Sequence, residues 1–258
     1  MKHIDLNGGL VMVTGGGGAI GSAIAMESAQ AGAAVAVCDI NECAAKKVAD
    51  AIQRKGGKAT AFRIDVRDRN DVDAVTAQAV EQLGPLHGLV TAAGVLRTGG
   101  ITTQGEEDWS CVMAVNVDGT MHAVRAAIPH LENSKGAIVT IGSVSAFIGS
   151  NDGGAYTTSK GAVLSFTFAA AGELASRGIR VNNVAPGWVN GGFTHQALAV
   201  SDHPDQLLDQ AKQLHALGRM AEPTDVANAV VWLLSDQASF VTGSMLLVDG
   251  GFMIQHKS

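Results

Sequence analysis

The sequence predicts an α/β fold: a doubly wound parallel sheet with helices on both faces. Three observations predict it. Strand-like apolar runs alternate with helical patterns along nearly the whole chain. A glycine run joins the first strand to the first helix. Composition is 47% apolar but only 4% aromatic, with 32 glycines, which suits close packing of helices on a sheet. The 258 residues suffice for one sizeable domain.

The strand-like runs are Leu10–Thr14, Ala34–Asp39, Ala59–Asp65, Gly88–Thr91, Ala137–Ser143, Arg180–Val184 and Met245–Asp249. Helical patterns lie between them, near Ile20–Ala31, Glu42–Lys55, Asn70–Leu83, Glu107–Ile128, Ala155–Ser176 and Pro223–Leu234. Right-handed crossovers then favour the doubly wound arrangement. No repeat or low-complexity linker interrupts the pattern. Gly187–Gly218 lacks strand signals, is glycine-rich at its start and polar over Ser201–Gln213. A segment of that length in a compact domain is usually functional. It reads as a helical flap over a substrate, at about 188–217, within one domain spanning residues 1–258.

The net charge of -6 argues against attraction to nucleic acid or anionic lipid. Cys38, Cys43 and Cys111 have no metal-ligand spacing, and an odd, sparse count suits a reducing compartment. The eight histidines make no HxxxH pair, so no metal is expected. The start, Met1-Lys2-His3-Ile4-Asp5, is polar, and no apolar run reaches membrane-spanning length. The expectation is a soluble cytoplasmic protein.

Thr14-Gly15-Gly16-Gly17-Gly18-Ala19-Ile20-Gly21 follows the first strand and opens the first helix. Glycines there permit a tight turn and close approach of backbone to phosphate, and the helix N-terminus offers free N–H groups to a pyrophosphate. Asp39 ends the second strand, eighteen residues after Gly21. A carboxylate there accepts hydrogen bonds from ribose hydroxyls and repels the extra phosphate of NADP. No Arg or Lys stands at 16–18, 22, 40 or 41 to offset that repulsion. The reading is NAD.

Tyr156 and Lys160 stand four apart in a helical segment, so phenol and ammonium share one face. Tyr and Lys at this spacing also commonly share a solvated face, so the pair gains meaning from its company. A free tyrosine has a pKa of about 10, and a nearby lysine charge favours the phenolate. A base tuned towards neutrality takes the proton from an alcohol. Ser143 lies thirteen residues before Tyr156, at the end of a strand-like run. Together the three predict a site that holds a hydroxyl, deprotonates it and lets a hydride leave.

These residues together resemble the short-chain dehydrogenase/reductase family, over roughly Leu6 to Phe252. The glycine loop is similar to the family's Thr-Gly-x-x-x-Gly-x-Gly, with Ala19 in place of the middle glycine. Thr91-Ala92-Ala93-Gly94 resembles its Asn-Asn-Ala-Gly. Asn116, Ser143, Tyr156 and Lys160 match its active-site asparagine, serine, tyrosine and lysine. Pro186-Gly187 matches the turn beneath the nicotinamide. Gly218–Pro223, Val241–Gly243 and Val248–Gly251 resemble its C-terminal signature. The family often has Thr at the position of Gly191, where it meets the cofactor carboxamide; Thr194 is the substitute at hand.

The resemblance implies a seven-stranded Rossmann domain, a homotetramer and an NAD site. That site comprises Gly15, Gly18, Ala19, Ile20, Gly21, Asp39, Ile40, Asp65, Val66, Ala92, Ala93, Gly94, Tyr156, Lys160, Pro186, Gly187, Val189 and Thr194. It implies that Ser143 bonds the reacting oxygen, Tyr156 is the acid/base, Lys160 tunes it and binds ribose, and Asn116 holds a relay water. The substrate pocket is expected from Ser143, Ser145, Phe147, Tyr156, Trp188 and Phe193, with Arg97 and His195 as candidates for an anionic group. The substrate is a secondary alcohol or ketone: a polyol, sugar, hydroxy acid or cyclic alcohol. Rival readings are an NADPH-dependent 3-oxoacyl reductase of the same family, a serine hydrolase on Ser143, and a non-catalytic NAD-sensing module. Gly142-Ser143-Val144-Ser145-Ala146 lacks the second glycine of a nucleophile elbow, which argues against the hydrolase.

Overall fold

Leu10–Thr14 forms β1, and every one of its residues is buried. Side chains alternate across a strand, so Leu10 and Met12 enter one core and Val11 and Val13 the other. A strand covered on both faces must read as continuous apolar sequence, as this one does. The computed structural model describes residues 4–6, 8–149 and 153–255. Met1–His3 therefore lie outside the described residues.

The other strands are β2 (Ala34–Asp39), β3 (Lys58–Arg63), β4 (Leu86–Thr91), β5 (Ala137–Ile141), β6 (Arg180–Pro186) and β7 (Met245–Val248). All pair in parallel in the order β3-β2-β1-β4-β5-β6-β7. Strand order reverses between β1 and β4. In open α/β sheets ligands bind in the crevice at the carboxyl ends of such strands. Thr14, Thr91, Thr140 and Asn183 stand level across β1, β4, β5 and β6, just below that crevice.

One face of the sheet is covered by α1 (Ala19–Gln30), α2 (Glu42–Arg54) and α9 (Pro223–Leu234). The other is covered by α3 (Arg69–Leu83), α5 (Gly119–Ser134) and α6 (Gly154–Leu174). Helix starts follow local chemistry. Asn41 accepts from the Ala44 N–H to begin α2, and Asp68 accepts from the N–H groups of Asn70 and Asp71 to begin α3.

The expected long helix Glu107–Ile128 is three contiguous pieces: α4 (Glu106–Met113), a π-helical turn (Ala114–Asp118) and α5. A π turn adds a residue and shifts the face the helix presents, often at a functional site. Here it carries buried Asn116. The Thr120 hydroxyl donates back to Asn116 O at 2.8 Å. Gly119 permits close approach to Val66, because a Cβ there would lie 2.6 Å from Val66 Cγ2. The strand-free stretch after β6 folds as α7 (Phe193–Ala199) and α8 (Pro204–Gln213).

β4 begins two residues earlier than expected, β6 runs two residues further, to Pro186, β7 stops one residue short, and β3 and β5 each stop two residues short. β5 stops at Ile141, and Ser143 instead opens a 3₁₀ turn over Val144–Ala146, its hydroxyl accepting from the Ser145 N–H at 3.1 Å. β3 stops at Arg63, and Asp65 turns out to accept from the Arg67 N–H at 3.0 Å. In both cases a side-chain oxygen satisfies the backbone and ends the ladder.

Candidate active site

Gly15 leaves β1 with φ +67°, and a Cβ there would lie 2.6 Å from the Ala93 N. Only glycine fits that turn. The loop reaches Gly18, which caps α1 without a side-chain hydrogen bond. The first N–H groups of α1 are thus left for an anion. A groove of about 290 Å³ opens on them, lined by Gly15, Gly18, Ala19, Ile20, Gly21, Asp39, Ala92 and Gly94 on the sheet side. Val189, Gly191, Gly192, Phe193, Thr194 and Gln196 close the other side.

Asp39 is held at the groove edge by the backbone. Its carboxylate accepts from the Gly17 N–H and the Asn41 N–H, each at 2.9 Å. An ionised carboxylate has about four acceptor positions, so two remain for a ligand. A second cavity of about 260 Å³ continues past Asp39 between Ile40, Asp65, Val66, Ala93 and Gly94. Of the residues named from the sequence, Gly15, Gly18, Ala19, Ile20, Gly21, Asp39, Ile40, Asp65, Val66, Ala92, Ala93, Gly94, Val189 and Thr194 line these two hollows, whereas Tyr156, Lys160, Pro186 and Gly187 line neither.

Sequence reasoning missed Arg67 and Cys111 in that second hollow, and assigned Arg97, which also lines it, to the substrate pocket. Both arginines are already paired. Arg67 bonds Asp65, with Nη2 at 2.6 Å from Oδ2, and this bond above all holds the Asp65 carboxyl below its usual range. Arg97 pairs with Asp108 at 3.4 Å. His195 likewise meets Asn190 Oδ1 at 3.0 Å. In the protein alone Arg97 and His195 thus face Asp108 and Asn190. Exposed residues of this kind carry no periodic signal, so only the fold reveals their position.

The two departures around the glycine loop meet in space. A Cβ on Gly191 would lie 2.8 Å from the Ala19 methyl. The methyl gained at 19 therefore occupies room that a side chain at 191 would need. Thr194 is buried beside this pair, and its N–H donates to Gly191 O at 3.2 Å. Thr91 keeps its hydroxyl buried without a hydrogen-bond partner. The bracing of the loop after β4 comes instead from Asn116. Its Oδ1 accepts from the Val95 N–H at 2.8 Å, and its Nδ2 donates to Val95 O at 3.1 Å and Ser159 Oγ at 3.0 Å. The Asn116 amide is spent on that brace.

Ser143, Tyr156 and Lys160 converge beside the groove. Lys160 is 6% exposed, its Nζ donates to Ile141 O at 2.8 Å and lies 5.5 Å from the Tyr156 ring centre. Burial lowers the Lys160 pKa to about 8. Burial also pushes the Tyr156 phenol up to about 12, and the hydrogen bond with Ser143 acts in the opposite sense. The sequence expectation was a phenol lowered by lysine. In the protein alone desolvation outweighs that effect, because the ammonium lies over the ring and bonds a carbonyl. Phe193 from α7 packs edge-on against Tyr156, ring centres 5.9 Å apart. Trp188 is half-buried at the start of the flap, Ser145 is half-buried and Phe147 is exposed, so Phe147 forms at most the rim. Pro186 ends β6, and Gly187 follows it directly before Trp188.

The arrangement fits a nicotinamide dinucleotide: a glycine turn no Cβ could share, free helix N–H groups, a carboxylate at the groove edge and a phenol at the far end. Comparison with known proteins agrees. The family model described as enoyl-(acyl carrier protein) reductase matches residues 17–253. The chain is 39% identical over 243 residues to 2-(S)-hydroxypropyl-CoM dehydrogenase 3 of Xanthobacter autotrophicus, covering 94% of this chain and 95% of that one. It is 36% identical over 250 residues to cyclohexanol dehydrogenase of an Acinetobacter species, covering 95% of each. A dehydrogenase/reductase of Sinorhizobium meliloti 1021 of known structure matches with TM-score 0.89 and 37% identity over 97% of both chains. Among the described residues no helix is long and apolar enough to cross a membrane, and no His, Cys, Asp or Glu cluster is arranged to hold a metal. The chain belongs to the short-chain dehydrogenase/reductase family, nicotinamide-dependent oxidoreductases, and acts on CH–OH donors.

Proposed function

We propose that this protein oxidises a secondary alcohol with NAD+, in one domain whose segment 188–217 covers the substrate. The observation that carries the reading is the convergence of Ser143, Tyr156 and Lys160 beside a groove edged by Asp39. Ser143 bonds the substrate oxygen. Tyr156 takes the hydroxyl proton, and Lys160 supplies positive charge beneath the ring and a donor for a ribose hydroxyl. The bound cofactor supplies the hydride chemistry, and its positive ring adds to the charge that favours the phenolate. Asn116 supports this set by fixing the Val95 loop and Ser159.

The names of both relatives denote dehydrogenases of secondary alcohols. With Arg97 and His195 engaged internally, Trp188 and Phe193 present mainly apolar surface, which favours a neutral, partly apolar alcohol over a hydroxy acid. The family model's description names reduction of a carbon–carbon double bond. We favour the hydroxyl reaction because the Ser143–Tyr156 pair is arranged for an oxygen that gains or loses a proton. A screen of secondary alcohols with NAD+, watching NADH appear, tests the reading; no oxidation across cyclic, acyclic and polyol substrates would refute it.

NAD rather than NADP is the cofactor this reading names. The Asp39 carboxylate opposes a 2′-phosphate of charge about -1.5 to -2, and the nearest guanidinium groups are already paired. Asp39→Ala is expected to weaken NAD+ binding about tenfold or more, the scale of lost charge-assisted hydrogen bonds. It should also narrow the advantage over NADP+. Calorimetry with both cofactors checks this, and an unmodified protein that already prefers NADP+ contradicts it.

We also infer a homotetramer working in the cytoplasm. Trp109 on α4 and Phe168 on α6 leave large apolar surface exposed, and the cysteines are free thiols. Light scattering at micromolar concentration should give four times the chain mass. A monomer mass would contradict it.

A further inference from the structure

His215 is a buried titratable group that the mechanism above does not use. It follows α8 and is 2% exposed. Its Nδ1 lies 2.7 Å from Ala211 O, and its Nε2 lies 3.1 Å from the Trp188 N. A carbonyl only accepts and a backbone N–H only donates. The neutral ring with its hydrogen on Nδ1 is therefore the form that satisfies both. The ring is packed edge-on against Phe252 at 5.4 Å between centres. Gly187 gives it room, since a Cβ there would lie 2.6 Å from Nε2.

We propose that His215 is a positioning residue that pins the Gly187–Trp188 turn, and through it the flap wall of the cofactor groove. The proposal rests on the reading of that groove as a dinucleotide site. The Trp188 peptide is held from both sides: its N–H by His215, its carbonyl by the Ala221 N–H at 2.9 Å. The next residue, Val189, lines the groove. A few residues further, Phe193 reaches the Tyr156 ring. A shift of the turn is thus a shift of the wall that faces the cofactor.

Two variants of the full chain test this, with NAD+ affinity read by calorimetry and KM and kcat read separately. His215→Gln offers a non-titrating acceptor; His215→Leu keeps bulk and removes it. At about pH 8, Gln should bind NAD+ within about twofold of the unmodified protein. Leu should bind about tenfold more weakly, with KM for NAD+ rising more than kcat falls. Equal affinity of Leu and unmodified protein overturns the proposal. So does a Gln variant that binds NAD+ about tenfold more weakly than the unmodified protein, which decides the matter even if Leu does not fold. An unmodified protein that binds neither NAD+ nor NADP+ sinks the dinucleotide reading itself, and that result is distinct from either of these.

Discussion

Replacing Tyr156 with phenylalanine is expected to lower turnover by about 10²-fold or more, the scale of a lost general base. NAD+ affinity should barely change, because the ring and its edge-on contact with Phe193 persist. Only the titrating hydroxyl is gone. In the unmodified enzyme alcohol oxidation should rise with pH, since the phenolate is the form that accepts the proton. The rise should level off well below the free-tyrosine value of about 10. Such a plateau demands charge beyond what the protein supplies, because burial holds the phenol up at about 12 in the protein alone. Rate measurements across pH on both proteins check this; near-full turnover in Tyr156→Phe would sink the mechanism.

Lys160→Met should differ in kind. It removes a ribose donor and the charge beneath Tyr156, so turnover and NAD+ affinity fall together. The protein without cofactor should nevertheless become more stable. Lys160 is buried, and its pKa is lowered from 10.5 to about 8. The unfolded chain therefore binds the proton more tightly, and the penalty is fully present below about pH 8. It fades as pH rises, and is gone above the unfolded value. At about 1.36 kcal/mol per unit the penalty is on the order of 3 kcal/mol. Loss of the bond to Ile141 O offsets about 1 kcal/mol of the gain. Denaturant unfolding at neutral pH should show Lys160→Met ahead by about 1–2 kcal/mol, and the gap should close between about pH 8 and pH 10.5. A less stable Lys160→Met at neutral pH would mean that the ammonium is structural rather than held in place for function.

The sheet was legible because its strands leave no choice. Leu10–Thr14 and Ala34–Cys38 are buried on both faces, so their sequence must be continuously apolar. Helix starts were legible where a side chain caps them, as at Asn41 and Asp68. The π turn at Asn116 was not. Its residues suit an α-helix, and the extra residue is tied to tertiary details: the Thr120 hydroxyl bond and the approach of Gly119 to Val66. The candidate catalytic residues were named from spacing and from the family resemblance, and the fold brings Ser143 and Lys160 to Tyr156. The phenol's ionisation was not, because spacing cannot say whether Lys160 Nζ points at the hydroxyl or at Ile141 O. His215 was equally invisible: its partner Trp188 lies 27 residues away, and only the folded turn brings them together.

Tyr156 is the chain's sole tyrosine, so ultraviolet difference absorbance in the tyrosinate band reads its ionisation with no other phenol contributing. Titrating the protein with and without saturating NAD+ tests the central claim most directly. The protein alone should show no tyrosinate below about pH 10, the free-tyrosine value, because burial holds the phenol up. With NAD+ bound, tyrosinate should appear well below that value. The same midpoint with and without NAD+ would contradict the assignment of Tyr156 as the base that takes the alcohol proton.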